Sequence, residues 1–240
     1  MLRWIALSLT VIALAGCGGD SMSSSSNALP QGTKPSKLDP SKFTTEIDNP
    51  YWPMKPGSHW VYRELEDREL QRVDVTVTDQ TKVLDGVTAR VVHDRVMRQG
   101  QVVEDTRDWY AQDSDGNLWY LGEDTKEYEN GKVKSTEGSW AYGVDGALPG
   151  VVVPADPEQG MTYREEYYAG HAEDAAEVLN VDSQVQVPYG RFKGAILTRN
   201  YSSLEPTVEE MKLYARGVGP VMELLVSGGS GRTELLSYTK

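Results

Sequence analysis

Val73-Asp74-Val75-Thr76-Val77-Thr78 alternates strictly between a β-branched apolar residue and a polar one. Successive side chains of a strand point to opposite faces, so this period of two describes a strand with one dry face and one wet face. Working outward, the signature returns between short turn signals. Asp85-Gly86 precedes a strand predicted over 87–98, and Gln99-Gly100 leads into another over 102–112. Asp113-Ser114-Asp115-Gly116-Asn117 turns the chain again before Leu118-Trp119-Tyr120-Leu121. Asn130-Gly131 closes a hairpin between 127–129 and 132–134. Such Asx-Gly and X-Gly pairs are what two-residue hairpins select.

The aromatic and β-branched stretch 58–63 adds a strand upstream. Downstream, strands are expected at 161–168, 195–201, 208–215, 221–226 and 232–238, with Gly217-Val218-Gly219-Pro220 as a turn. The segment 144–159 carries Pro149, Pro154 and Pro157 and reads as a long loop. Residues 172–179 contain good helix formers, and pattern does not decide between helix and strand, although their neighbours favour a strand. The expectation is an all-β domain over 43–240: a single antiparallel, strongly curved sheet or open β-barrel, with few or no helices.

The N-terminus has a different character. Met1-Leu2-Arg3 is followed by an apolar run over 4–15 and then Gly16-Cys17. A basic start, a short apolar core and small residues at the cut describe a secretory signal. The run is too short for a helix spanning a hydrocarbon core, which takes about 20 residues. Residues 1–16 are therefore expected to be a signal peptide. Leu14-Ala15-Gly16-Cys17 resembles the lipobox of bacterial lipoproteins, which implies fatty acylation (palmitate or similar) of Cys17 and membrane anchoring there. Cys17 is the only cysteine, so disulfides and thiolate chemistry are excluded from the chain. Residues 17–42, rich in Ser and Pro and poor in apolar residues, read as a disordered tether. Gly18 rather than Asp follows the cysteine. By the same resemblance the location is the outer membrane in a Gram-negative envelope, or the outer face of the cell membrane in a Gram-positive one.

A net charge of −12 argues against nucleic acid as a partner, since the phosphate backbone is repelled by such a surface. The three histidines, His59, His93 and His171, have no metal-ligand spacing. Gly228-Gly229-Ser230-Gly231-Arg232 fails the nucleophile-elbow pattern at its fifth position. Asp113, Asp115 and Asn117 cluster hard oxygen ligands and form a candidate calcium site, yet the same residue types are what a hairpin turn needs. An EF-hand frame is excluded, because it would begin at Ala111 and end at Gly122. No other cofactor is expected.

Aromatic residues carry the remaining signal. With six Trp and thirteen Tyr against two Phe, bulk comes from rings with polar handles. Trp60 and Tyr62, like Trp140 and Tyr142, sit two apart and share a face if extended. Trp109 and Trp119 flank one hairpin turn. These six are the candidate ligand-binding residues, lining a cleft for an apolar or amphipathic molecule; the competing reading makes them core and cross-strand ladders.

Several stretches resemble a family of uncharacterised bacterial lipoproteins. They are Ile47-Asp48-Asn49-Pro50-Tyr51-Trp52-Pro53 with Lys55-Pro56-Gly57, Asp108-Trp109-Tyr110-Ala111-Gln112-Asp113 with Asp115-Gly116-Asn117, and Gly122-Glu123-Asp124-Thr125-Lys126-Glu127-Tyr128. Val187-Pro188-Tyr189-Gly190-Arg191-Phe192 and Tyr214-Ala215-Arg216-Gly217-Val218-Gly219 complete the set, and these two also look like motifs of curved-sheet periplasmic lipoprotein carriers. The wider group has Ala where Tyr189 stands and Pro where Arg216 stands. The resemblance implies fold and address, and the nearer family has no assigned activity. The expected function is a non-enzymatic binding or carrier module of the cell envelope. The alternatives are a partner-docking lipoprotein with a filled core, or a hydrolase with a carboxylate site that spacing does not reveal.

Overall fold

A computed structural model of the chain describes residues 29–66 and 68–240; the expected signal peptide, Cys17 and residues 17–28 of the expected tether lie outside them. The domain is almost wholly β. Its strands are β1 (Phe43–Thr44), β2 (His59–Glu66), β3 (Glu69–Leu84), β4 (Val87–Arg98), β5 (Gln101–Asp113), β6 (Leu118–Glu129), β7 (Lys132–Ser135) and β8 (Trp140–Ala141). They continue as β9 (Leu148–Val153), β10 (Thr162–Arg164), β11 (Glu166–Tyr167), β12 (Asp174–Val187), β13 (Gly190–Ser202), β14 (Glu209–Ala215), β15 (Gly219–Ser227) and β16 (Gly231–Thr239). A single 3-10 turn, Pro40–Lys42, is the only helical element among the described residues.

The strands form one antiparallel sheet in the order β10-β12-β13-β14-β15-β16-β2-β3-β4-β5-β6-β9-β11. The first and last strands come round to face each other, making a nearly closed barrel with one unsealed seam. Among the described residues chain order is broken chiefly by β16 pairing with β2, which joins the two halves of the meander, and by short β1 pairing with β5. The hairpins at Asp85-Gly86, Gln99-Gly100 and Asn130-Gly131 have positive φ at both positions, the primed turns that match strand twist.

One local expectation meets a different outcome, and one that pattern left open resolves as its neighbours favoured. The proline-marked segment 144–159 is not all loop, because β9 lies within it. Val151 and Val153 pair with Trp119 and Leu118 of β6, whereas Pro149 falls beyond that ladder and offers its carbonyl to Arg164. The stretch 172–179 is strand from Asp174 onward: Asp174, Ala176 and Val178 are buried in alternation while β13 supplies the ladder, so pairing overrides helix propensity.

The barrel's two ends differ. At one end the loop 45–57 folds across the opening and inserts Trp52 among Tyr110 and Tyr214, with ring centroids 5.6 and 6.1 Å away. Tyr110 stacks on Tyr120 at 5.0 Å, and Tyr120 meets Trp140 edge-on at 5.5 Å. At the other end, where the β2–β3, β4–β5 and β15–β16 hairpins turn, a cleft opens into the barrel. Residues Pro30 to Ser36 lie along the seam as a strap. Arg164 donates from its backbone to Pro30 O and from its guanidinium to Gly32 O, Lys34 O, Ser36 Oγ and Pro149 O.

Candidate functional site

The pairing register decides which residues face the cleft. On β4, Val92, Asp94 and Val96 share one parity, and on β5 Glu104, Thr106, Asp108 and Tyr110 share the facing one. Asp108 is directly opposite Glu123 of β6. On the far wall, Glu210 and Lys212 of β14 and Glu223 of β15 point the same way. Tyr62, Val73, Val96, Pro220, Met222 and Leu225 supply the apolar part of the lining. The cleft is thus amphipathic, and its polar groups are overwhelmingly carboxylates.

Burial governs how these acids ionise. Asp94, only 4% exposed, is held well above the usual carboxylate range by desolvation, reinforced by the charges of Asp108, Glu104 and Glu64. Its Oδ1 has no hydrogen-bond donor among the described residues. Glu123 is raised as strongly, by burial first and then by Asp108 and Glu166. Asp108 is also raised by burial but less so, because Tyr120 donates its hydroxyl to Asp108 Oδ1 at 2.7 Å. Burial likewise raises Glu210, against the opposing pull of Lys212.

The acids continue around the inner wall towards the seam. Trp140 Nε1 donates to Glu166 Oε2 at 2.6 Å, and Asn200 Nδ2 donates to Glu165 Oε2 at 2.8 Å. Asp174, across the seam from Glu166, is raised by burial and by the Glu166 charge, and neither of its carboxyl oxygens has a hydrogen-bond partner among the described residues. Lys212 is the cation buried among them. Desolvation works against its charge, but Glu223, Glu210, Glu165 and Asp174 outweigh it and keep the ammonium protonated. Arg164, pulled down to about 10 by burial, stays charged at neutral pH.

The sequence-predicted residues fall in several places. Of the six aromatics, Tyr62 lines the cleft, its hydroxyl donating to Pro220 O at 2.9 Å. Trp60 lies deep towards the closed end, stacked on Tyr238 and donating to Val218 O. Trp140 is inside the barrel wall against Glu166, while the Tyr142 hydroxyl donates to Ser36 O at the end of the strap and accepts from Leu38 N just beyond it. Trp109 and Trp119 have the opposite parity to Asp108 and face outward. Lys82 Nζ sits 3.4 Å over the Trp109 ring, and Phe43 packs edge-on against Trp119. The six are therefore not brought together.

Asp113, Asp115 and Asn117 do adjoin, in the β5–β6 turn. The Asp113 carboxylate already accepts from the backbone N–H of Asp115 and Asn117, from Asn117 Nδ2 and from Trp119 Nε1. Asn117 Oδ1 accepts from Ala155 N. Local donors thus occupy the side-chain oxygens of Asp113 and Asn117, two of the three candidate ligands. Among the described residues no three His, Cys, Asp or Glu side chains converge as a metal site.

The acid wall itself was missed in the sequence. Its signal is parity: Asp94 lies between Val92 and Val96 at spacing two, a charge placed within the apolar set of its own strand.

No family model matches this chain, and no curated protein does. Among solved structures, it is similar to a protein of Bacteroides fragilis NCTC 9343 assigned as exported and YmcC-like in fold. The two are 13% identical with a TM-score of 0.44, over 79% of this chain and 99% of that one. A protein of Parabacteroides distasonis ATCC 8503 assigned as a lipoprotein is 11% identical, with a TM-score of 0.43 over 79% and 98%. Likeness at that level carries no functional assignment.

Proposed function

We propose that this chain is an exported lipoprotein, anchored through acylated Cys17 in the cell envelope, whose barrel is a non-enzymatic binding or carrier module for an amphipathic ligand. One observation carries the binding half of this reading. The barrel is plugged at one end by the Trp52 loop and open at the other into a cleft with both apolar and carboxyl walls. A cleft that is concave, partly apolar and lined by a few converging polar groups is the usual form of a small-ligand site. A domain serving only to dock a partner has no need to leave its interior open at one end.

Native mass spectrometry of the protein extracted from its own membrane tests the binding half. A co-purifying mass released on denaturation supports it. An apo mass that stays apo after incubation with host lipid and metabolite extract overturns it. The anchoring half rests on the lipobox-like sequence and has a separate test. Cys17→Ser should move the protein from the membrane to the soluble fraction and abolish labelling by a fatty-acid probe. Continued labelling of the variant would place acylation elsewhere.

The raised carboxyls favour one second reading, a hydrolase using acid–base catalysis. Such chemistry needs one carboxyl protonated beside another that stays ionised. Here burial raises all three of Asp94, Asp108 and Glu123, Asp108 less because the Tyr120 hydroxyl and the His93 charge oppose it. That environment suits an empty acidic pocket awaiting a counter-charge better than a divided acid–base pair.

A further inference from the structure

We infer that the ligand of the barrel mouth is an organic cation, a protonated amine on a short apolar body, with Asp94, Asp108 and Glu123 receiving the ammonium. This rests on the reading of the cleft as a binding site and names the ligand class for it.

Three observations converge. Asp94, Asp108 and Glu123 form a diagonal row across β4, β5 and β6, the first two buried and Glu123 half-buried, all lining the cleft. Asp94 Oδ1 is an acceptor buried in that row without a donor, a desolvation cost that stands unless something else supplies the hydrogen bond. Beside the row, Tyr62, Val73, Val96 and Met222 offer an apolar surface that a hydrated ion would not use. A metal ion needs several oxygens converging at about 2.3–2.6 Å, and the described residues hold no such group. An ammonium needs only two or three acceptors at ordinary hydrogen-bond distance, and its carbon body covers the apolar wall.

The groups facing this row are, element by element, Glu64 and Glu66 of β2, Glu104 of β5, Glu166 of β11, Glu210 and Lys212 of β14, Glu223 of β15 and Arg232 of β16. Lys212 is surrounded by Glu223, Glu210, Glu165 and Asp174, on the other side from β4–β6. Arg232 is bound to Glu234. An arriving ammonium therefore meets carboxyls that hold protons in the empty site. It binds their ionised forms, so a carboxyl O–H bond breaks and the proton passes to buffer as the ammonium takes its place.

The test is calorimetric titration of the protein from Gly18 onward, which contains every described residue, with octylammonium, 1-octanol and octanoate. These probes share a chain and differ in the head. Octylammonium should bind at least tenfold tighter than octanol, octanoate more weakly still, and the octylammonium affinity should rise about tenfold from pH 5 to pH 8 with proton release. Repeating the titration in buffers of different ionisation enthalpy reads the released proton directly. Asp94→Asn with Glu123→Gln mimics the protonated carboxyls, so it should leave the melting temperature intact at pH 5 and erase the preference. Equal binding of octanol and octylammonium, or a preference that survives in the double variant, overturns the cation assignment and leaves the binding cleft standing. Failure of all three probes at millimolar concentration overturns both.

Discussion

Asn49 sits where three stretches of chain meet, and its amide serves all of them. Oδ1 accepts from Tyr51 N and Trp52 N, while Nδ2 donates to Gly116 O and Val153 O. Around it, Gln112 exchanges hydrogen bonds with Asp48, Gly217 N donates to Pro50 O, and Arg216 donates to the Tyr51 hydroxyl. Three of the stretches that stood out in the sequence, 47–57, 108–117 and 214–219, thus meet at the closed end of the barrel. They could be picked out as strings, but their joint role as an end cap was not legible, because 64 to 165 residues separate the partners whose side chains join them. A second conspicuous residue, Gly122, has φ +126° at the β6 bulge, and an added Cβ would lie 2.3 Å from Trp140 O. Gly131 also has positive φ, +72°, but with open space around it. Gly131→Ala should therefore cost about 1 kcal/mol from backbone strain alone, and Gly122→Ala roughly 3 kcal/mol or more, since rigid backbone must also move. Urea denaturation of the two variants decides it; equal losses would mean that the contact with Trp140 is relieved cheaply.

At the scale of elements, the regular hairpins were readable because each carries its own turn chemistry. The strap was not. Residues 30–36 have no apolar periodicity and few apolar side chains, and composition alone places them in a tether. What orders them is the row of carbonyls they present to one guanidinium on β10, information that lies about 130 residues along the chain. The same side chain spans the seam by bonding Pro149 O of β9. Arg164→Met keeps much of the volume and removes every one of these side-chain bonds. Hydrogen exchange should then accelerate at the amides of residues 30–42 and of β9–β11, while β3–β5 stay protected. Loss of protection throughout the barrel would show instead that the seam is part of the global folding unit. Arg164→Lys should resemble Arg164→Met, because one ammonium cannot reach four separated acceptors in a plane.

For the molecule as a whole, the acidic balance was visible at once, and its ordinary meaning is a solvated surface. Register divides it differently: Asp94, Asp108, Glu165, Glu166 and Asp174 are buried on the inside with Glu123 half-buried beside them, at positions whose parity only strand pairing reveals. Unfolded, such carboxyls titrate near pH 4. Folded, burial raises all six, so the native state binds protons more tightly than the unfolded chain. Their contribution is fully present below about pH 4 and is lost as pH rises through the raised folded values. Asp74 and Glu234 work the other way. Asp74 is held down despite burial by Arg72 and His59, and Glu234 by Arg232 and Arg63, so what they contribute is present above about pH 4 and disappears on further acidification. Stability of the ligand-free protein should therefore peak in mildly acidic solution and decline towards pH 9, the reverse of the rise expected for a protein stabilised by surface ion pairs. Urea midpoints measured from pH 4.5 to 9 would trace this limb. In Asp94→Asn with Glu123→Gln the limb should flatten, because the amides carry no charge to desolvate. If the double variant declines as steeply as the parent, the acids of the seam rather than those of the mouth set the alkaline limit. A bound ammonium should flatten the limb in the parent too, since it supplies inside the barrel the charge that rising pH would otherwise leave unopposed.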